Sequence, residues 1–246
     1  MKMNTFVLGV VLAAFAGRAE PMHLFLLAGQ SNMAGRGKID PAVNGEIAGA
    51  AMLNRSNCWV SAKEPFHFDK PSAGAGLAAE FVRCYLKKHP GVKVGLVPCA
   101  VGGSGISLWN PELPSGLYAT AVARVRIAQK EGELKGILWH QGESNLGAKD
   151  GFAAYSVALK KVFAAFRRDL NAPDVPIVAG EILYCIRKPD VAAFNANLHT
   201  VCSEVERCRT VSAEGLKDKG DLLHFDSPSL ILLGRRYFEA FETVAK

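Results

Sequence analysis

Apolar and polar positions along this chain alternate between two rhythms. Short strand-like runs occupy His23 to Leu27, Val92 to Val97, Gly136 to Trp139, Val175 to Ala179 and Arg209 to Val211. Longer segments with helical spacing separate and follow them: Ala75 to Lys88, Tyr118 to Lys130, Gly151 to Asp169, Val191 to Glu206 and Pro228 to Val244. In the third, Phe152, Tyr155, Leu159, Phe163 and Phe166 recur every three or four residues. That spacing draws one apolar stripe along a helix and marks it as core-facing. Alternating strands and helices form the βαβ pattern, whose strands make a parallel sheet with helices on both faces. The expected architecture is α/β, a three-layer α/β/α sandwich around a central, mostly parallel five-stranded sheet. Residues 37–72 are polar, irregular and rich in Pro, Asn and Gly, and read as a long functional or capping loop.

Composition fits one large domain: 246 residues, 49% of them hydrophobic, supply a substantial core. The start of the chain changes the picture. Lys2 precedes an apolar stretch from Phe6 to Ala16, and Gly17-Arg18-Ala19 has the small-x-small form of a signal-peptidase site. Residues 1–19 are therefore expected to be a cleavable signal peptide, with 20–246 as the single domain of a secreted or periplasmic protein. The apolar stretch falls short of the roughly 20 residues that span a bilayer, and no later segment is a candidate, so no membrane span is expected. Removing residues 1–19 takes away Lys2 and Arg18 and no acid, which lowers the formal charge from +6 to +4. That balance, with basic pairs such as Lys87-Lys88 and Arg235-Arg236 on helix faces, gives no reason to expect a nucleic-acid partner, though it leaves a weak attraction for acidic glycans. Six cysteines form an even set, and proximity alone suggests a link between Cys202 and Cys208. No CxxC pair or HExxH helix is present, so no metal site is expected. His67, His89 and His199 read as surface or packing histidines.

The chemistry gathers where apolar runs stop. The run that begins at His23 breaks at Gly29 and presents Gln30, Ser31 and Asn32. In open α/β sheets, ligands bind at the carboxyl ends of the strands, and a serine at a strand-to-helix turn exposes its hydroxyl there. Serine needs a base, and the base needs an orienting acid. Asp221 and His224 stand three residues apart just before the last helix, where one turn can hold them together. With Asp221 on the imidazole Nδ1–H, Nε2 is free to take the Ser31 proton. Two further strands end in polar clusters: Gly102, Gly103, Ser104 and Gly105 lead to Trp109, and Trp139 is followed by His140, Gln141, Glu143 and Ser144. Three strands delivering such tips to one edge favour an active site. Ser31 sits in G-x-S-x-M rather than the G-x-S-x-G elbow of ordinary α/β-hydrolases. Glu143 can orient His224 or hold Gln141 and the following turn, and the latter is preferred, with Asp221 as the acid. Glu181 is another carboxylate at a strand end, read more readily as a loop charge.

Four ordered motifs carry a resemblance: GQSNMAG at Gly29 to Gly35, GGSGISLW at Gly102 to Trp109, WHQGESN at Trp139 to Asn145 and DLLHFD at Asp221 to Asp226. Together they resemble the SGNH/GDSL hydrolase superfamily, whose fold is flavodoxin-like. Within it they are most similar to the carbohydrate esterases grouped with sialate O-acetylesterases and family 6 acetylxylan esterases. The resemblance implies Ser31 as nucleophile, His224 as general base and Asp221 as its acid. It also implies an oxyanion hole from the N–H groups of Ser31 and Gly103 and the side-chain amide of Gln141, which replaces the usual third-motif asparagine. Gly102 is a neighbouring choice for the second donor. Gln30, Asn32, Gly102, Trp109, His140 and Glu143 are expected to support the triad or touch substrate, Trp109 either as a sugar-stacking wall or as core. Asn110 and Asn145 can bind sugar hydroxyls or stabilise turns. The implied activity is removal of O-acetyl groups from carbohydrate, of acetylxylan or sialic-acid type, with no cofactor. A GDSL-type lipase or thioesterase and a catalytically silent glycan-binding protein stay open as alternatives.

Overall fold

The computed structural model describes residues 20–150, 152–186 and 190–245; the expected signal peptide and Gly151 lie outside them. β1 (Met22–Gly29) runs into a four-residue helix, α1 (Ser31–Ala34). There follow β2 (Ala50–Leu53), β3 (Trp59–Ser61), α2 (Ala78–Lys88), β4 (Val94–Pro98), α3 (Leu117–Ala128) and β5 (Gly132–His140). The chain ends with α4 (Ala153–Asp169), β6 (Ile177–Gly180), α5 (Val191–Ser203), β7 (Cys208–Val211) and α6 (Ser227–Val244). All five expected strands and all five expected helices form.

The sheet has seven strands rather than five, in the order β3-β2-β4-β1-β5-β6-β7. The two unexpected strands come from the segment read as an irregular loop. β2 lies parallel to β4, pairing Ala50 with Val94 and Met52 with Leu96, and β3 returns antiparallel to β2, pairing Met52 with Val60. Every other pairing is parallel. β3 is a short antiparallel edge, one of the ways a sheet avoids offering a long template for further pairing.

Helices cover both faces: α2 packs beside α6 on one, while α3, α4 and α5 follow one another on the other. A strand buried on both sides cannot alternate apolar with polar, which is why Leu24 through Ala28 have no exposed surface. On the first face Phe25 meets Phe81, Tyr85 and Phe241 edge-on, with ring centroids 5.0, 4.8 and 5.6 Å away. Each such contact is worth about 1 kcal/mol beyond the area it buries. On the second face Trp139 lies edge-on to Trp109 at 5.1 Å and to Phe163 at 5.7 Å, so the expected stripe of α4 does seat in the core. Among the described residues no helix is long and apolar enough to cross a membrane.

Because β1 is flanked by β4 and β5, whose connections leave on opposite sides, the three motif-bearing strand ends converge on one edge, at the switch point of the topology. A cavity of about 760 Å³ lies at the other end of the strands, lined by His23, Tyr85, Lys135 and Glu242 among others, and contains none of the motif residues. The six cysteines are free thiols, so the expected Cys202–Cys208 link is not present.

Candidate active site

The turn after β1 begins with a crowded glycine. Gly29 has φ +132°, and a Cβ there would stand 2.1 Å from the His140 carbonyl oxygen. The absent side chain lets β1 end against β5, where Gln30 N–H donates to that same oxygen at 2.8 Å. Ser31 is then the first residue of α1 and is 5% exposed.

The base arrives on a hairpin whose shape is set by short acidic side chains. Asp218 and Phe225 form a bridge, and Lys219 N–H donates to the His224 carbonyl at 2.9 Å. Asp218 Oδ2 accepts from Gly220 N–H and Leu222 N–H, holding Leu222 at φ +56°. Asp221 Oδ1 accepts from the N–H groups of Leu223 and His224 at 3.1 and 2.8 Å. Its other oxygen is thereby aimed at the imidazole, with His224 Nδ1 2.7 Å away. His224 Nε2 lies 3.0 Å from Ser31 Oγ. The structure thus joins serine, imidazole and carboxylate in the geometry the sequence predicts, with a hydrogen bond at each step. Partial burial opposes the Asp221 charge, yet the two N–H donors and the His224 ring outweigh it and hold the carboxyl at about 2. Asp226, the last motif residue, caps α6 by accepting from Ser229 N–H at 2.8 Å.

Asn32 ties the two halves together. Its Nδ2 donates to the Leu223 carbonyl at 3.1 Å and to Glu143 Oε1, and its Oδ1 accepts from Phe225 N–H at 3.2 Å. Asn32 is 1% exposed, so it fastens the base hairpin to the serine turn and is not placed to meet a sugar. Glu143 holds Asn32 rather than His224, and burial pushes its carboxyl above the ordinary range against the pull of Asn32 and of backbone N–H groups. Beneath it, His140 has no exposed surface, and burial lowers its pKa to about 3. It is therefore neutral, and its 3.9 Å approach to Glu143 is no ion pair. Tyr237 O–H donates to the Trp139 carbonyl at 2.7 Å, so it accepts from His140 Nδ1–H at 3.0 Å.

The backbone donors of the second motif resolve between the two glycines. Gly102 N–H donates to Asp69 Oδ2 at 2.8 Å. Gly103, with φ +81°, is exposed, and its N–H has no partner among the described residues, as is true of Ser31 N–H. Gln141 is fully buried, and its Nε2 faces three acceptors: Gln30 Oε1 at 3.1 Å, the Ser104 carbonyl at 3.2 Å and Asn145 Oδ1 at 2.7 Å. Two hydrogens cannot satisfy three acceptors, so the amide has an exchangeable partner. Gln30 also lies within reach of Gly142 and Ser144 N–H and serves as a brace. Asn145 Oδ1 accepts from Ile106 N–H as well, and Asn110 Oδ1 accepts from Glu112 N–H, so both stabilise turns.

The structure decides between the two readings of Trp109. Trp109 has no exposed surface, packs on Trp139 and Phe166, and points its Nε1–H at Ser104 Oγ, 3.3 Å away. It is a core residue under the glycine loop and not a sugar-stacking wall. Glu181 is likewise tied up, accepting from Tyr184, Ala213 N–H and His199, well apart from the triad contacts. Sequence reasoning missed Arg36, Asp69 and Lys70. Arg36 directly follows the first motif, a charge abutting a buried run, and was the one legible signal among them. Lys70 Nζ would lie 3.9 Å from a Cβ placed on Gly103, and among the described residues it pairs with no carboxylate.

A flavodoxin-ordered parallel sheet with a serine after its first strand and DxxH before its last helix defines an SGNH-type hydrolase. Comparison with known families matches residues 21–243 to the carbohydrate esterases described as sialic acid-specific acetylesterases, and the chain belongs to that family. It is 32% identical over 248 residues to a probable carbohydrate esterase of Arabidopsis thaliana, covering 90% of each chain. A solved Arabidopsis thaliana structure superposes with a TM-score of 0.82 at 29% identity, covering 91% of this chain and 98% of that one. The NanS structure shares the fold, with a TM-score of 0.76 at 19% identity over 91% and 98% of the two chains. The protein is a carbohydrate esterase.

Proposed function

We propose that the protein is an exported serine acetylesterase that removes O-acetyl groups from an acidic sugar through an acyl-enzyme intermediate. The observation that carries the chemistry is the continuous path from Ser31 Oγ to His224 Nε2 and from His224 Nδ1 to Asp221 Oδ2, at 3.0 and 2.7 Å. Ser31 Oγ attacks the acetyl carbonyl as His224 takes its proton, and Asp221 steadies the imidazolium that forms. Ser31 N–H and Gly103 N–H receive the oxyanion, and Gln141 Nε2 joins them by exchanging one of its three acceptors. His224 then gives its proton to the departing sugar oxygen, and the C–O bond breaks, leaving acetyl on Ser31. A water deprotonated by His224 attacks the acyl-enzyme, and acetate and free Ser31 are released. None of these steps calls for a cofactor.

The Lys70 ammonium beside Gly103 supports a substrate with a carboxylate near the ester, favouring a sialic-acid type of sugar over neutral acetylxylan. Export is supported by the Lys2, Phe6 to Ala16 and Gly17-Arg18-Ala19 sequence, outside the described residues. The test is acetate release from p-nitrophenyl acetate, acetylated xylan and O-acetyl sialic acid, beside a Ser31→Ala variant folded to the same degree. Turnover is expected to vanish in the variant and to be fastest on the acidic sugar; full turnover by Ser31→Ala would overturn the mechanism.

A further inference from the structure

A buried ion pair runs directly beneath the glycine loop. Arg36 Nη2 lies 2.6 Å from Asp69 Oδ2, and the two side chains are 5% and 1% exposed. Arg36 Nη1 also donates to the Gly35 carbonyl at 2.7 Å, anchoring the guanidinium to the end of the serine turn. The same Asp69 oxygen accepts from Gly102 N–H at 2.8 Å. A Cβ on Gly102 would stand 2.4 Å from Arg36 Nη2 and 3.1 Å from Asp69 Oδ2, so a side chain there would have to displace the guanidinium.

The loop's other anchors flank Gly102 and Gly103. Cys99 N–H donates to the Leu27 carbonyl at 2.8 Å, Val101 N–H to the Gly29 carbonyl at 3.1 Å and Ser104 N–H to the Val101 carbonyl at 3.3 Å. Ser104 Oγ–H adds a bond to the Val101 carbonyl at 2.8 Å, and Gln141 holds the Ser104 carbonyl, so the loop's two sides are fixed, while at its tip the Gly102 N–H rests on the Asp69 carboxylate alone. An ion pair removed from water contributes little net stability against an apolar replacement, so stability alone is a poor reason for one here. Its geometry suggests another. With Gly102 N–H turned down onto Asp69, the chain enters φ +81° at Gly103, whose own N–H is left without a partner.

We propose that Asp69, braced by Arg36, is a positioning residue for the oxyanion hole: it holds the Gly102 N–H so that the Gly103 N–H faces the acyl carbon's oxygen. The proposal rests on the serine-esterase reading above and adds to it a residue from the 37–72 segment. Asp69 touches neither substrate nor the reacting atoms. Its loss lets the peptide rotate, and the hole then loses a donor that is needed in the transition state and not in the ground state.

The experiment measures kcat and KM for p-nitrophenyl acetate, together with inhibition by an alkylboronic acid, whose tetrahedral adduct with the serine hydroxyl occupies the oxyanion hole. Removing one oxyanion donor typically costs roughly 100- to 1,000-fold in kcat, and misaligning one is expected to cost roughly 10- to 100-fold. Asp69→Ala is therefore expected to lower kcat by that factor, leave KM within about twofold, and weaken the boronic acid in proportion to kcat. Asp69→Asn keeps an oxygen at the shared position and is expected to recover most of the loss. If Asp69→Ala does not fold because it strands the Arg36 charge, the double variant Arg36→Met/Asp69→Ala buries no lone charge and provides the same measurement. Unchanged kcat in a folded variant would overturn the proposal, as would a fall in kcat with boronic acid affinity unaltered. Ser31→Ala in parallel separates the two levels. Its retaining turnover would overturn the esterase mechanism itself, whereas its inactivity beside a fully active Asp69→Ala would overturn only the role of Asp69.

Discussion

Replacing His140 by asparagine tests the claim that an imidazole lies neutral under the active-site edge. Burial holds the folded pKa of His140 at about 3, whereas an exposed imidazole titrates near ~6.5. Between those values the unfolded chain binds a proton that the folded chain refuses. Stability contributed by the neutral ring is therefore complete above about pH 6.5 and declines as the pH falls toward 3. At pH 5 the unfolded chain is about 1.5 pH units below its pKa. At about 1.4 kcal/mol per unit, His140 alone costs roughly 2 kcal/mol relative to neutral pH. His140→Asn keeps an N–H where Nδ1 donates to Tyr237 and removes the titration. It sacrifices the edge-on contact with Phe225 at every pH, which lowers stability by a pH-independent amount. Urea unfolding of both proteins at pH 7 and pH 5 is the assay. The gap in unfolding free energy is expected to narrow by roughly 2 kcal/mol at pH 5, because the wild type loses stability that the variant does not. An equal gap at both pH values would refute the neutral buried ring.

Other expectations follow from the same geometry. Asp221→Asn puts a donor where the imidazole Nδ1–H needs an acceptor, and kcat is expected to fall roughly 10,000-fold with KM little changed; steady-state kinetics on p-nitrophenyl acetate decide it. Asn32→Ala frees the Leu223 carbonyl and Phe225 N–H and strips Glu143 of its donor, so urea unfolding should show a loss of about 1–3 kcal/mol, with kcat reduced roughly tenfold as the base hairpin loosens. Wild-type values in both assays would rule out the clamp. Lys70→Glu is expected to raise KM for an acetylated sugar acid several-fold at low salt, with the difference shrinking at high salt and none for p-nitrophenyl acetate. A salt-independent change would point to packing instead of charge.

The parts of the fold that the sequence announces are those with a sustained period. Leu24 to Ala28 is an unbroken apolar run buried on both faces, the Phe152 to Phe166 stripe buries one face of its helix, and the boundaries of both elements fall within a few residues of expectation. β2 and β3 escaped because Ala50–Leu53 and Trp59–Ser61 span only four and three residues around a polar turn, too short for any period to emerge. β2 is held by β4, distant in sequence, and β3 in turn pairs only with β2. The triad was legible because chemistry restricts it to a few residue types, and Asp221 and His224 are close enough for local spacing to show them. Asp69 was not, since nothing local distinguishes it from a solvated loop acid; only the tertiary approach of Arg36 and Gly102 gives it a role. His67, read as a surface or packing residue, proves to be packing: it is 4% exposed, and burial lowers its pKa to about 4.

Ser31 and His224 stand 193 residues apart, one at the end of the first strand and the other on the hairpin that leads into the last helix. All seven strands and helices α1 to α5 precede His224 in the chain. A chain ending anywhere before residue 217 lacks both the imidazole and the carboxylate that orients it, however well its core has collapsed. The serine, imidazole and carboxylate come together only when the hairpin is seated on Asn32, so the site depends on the last part of the domain as much as on the first.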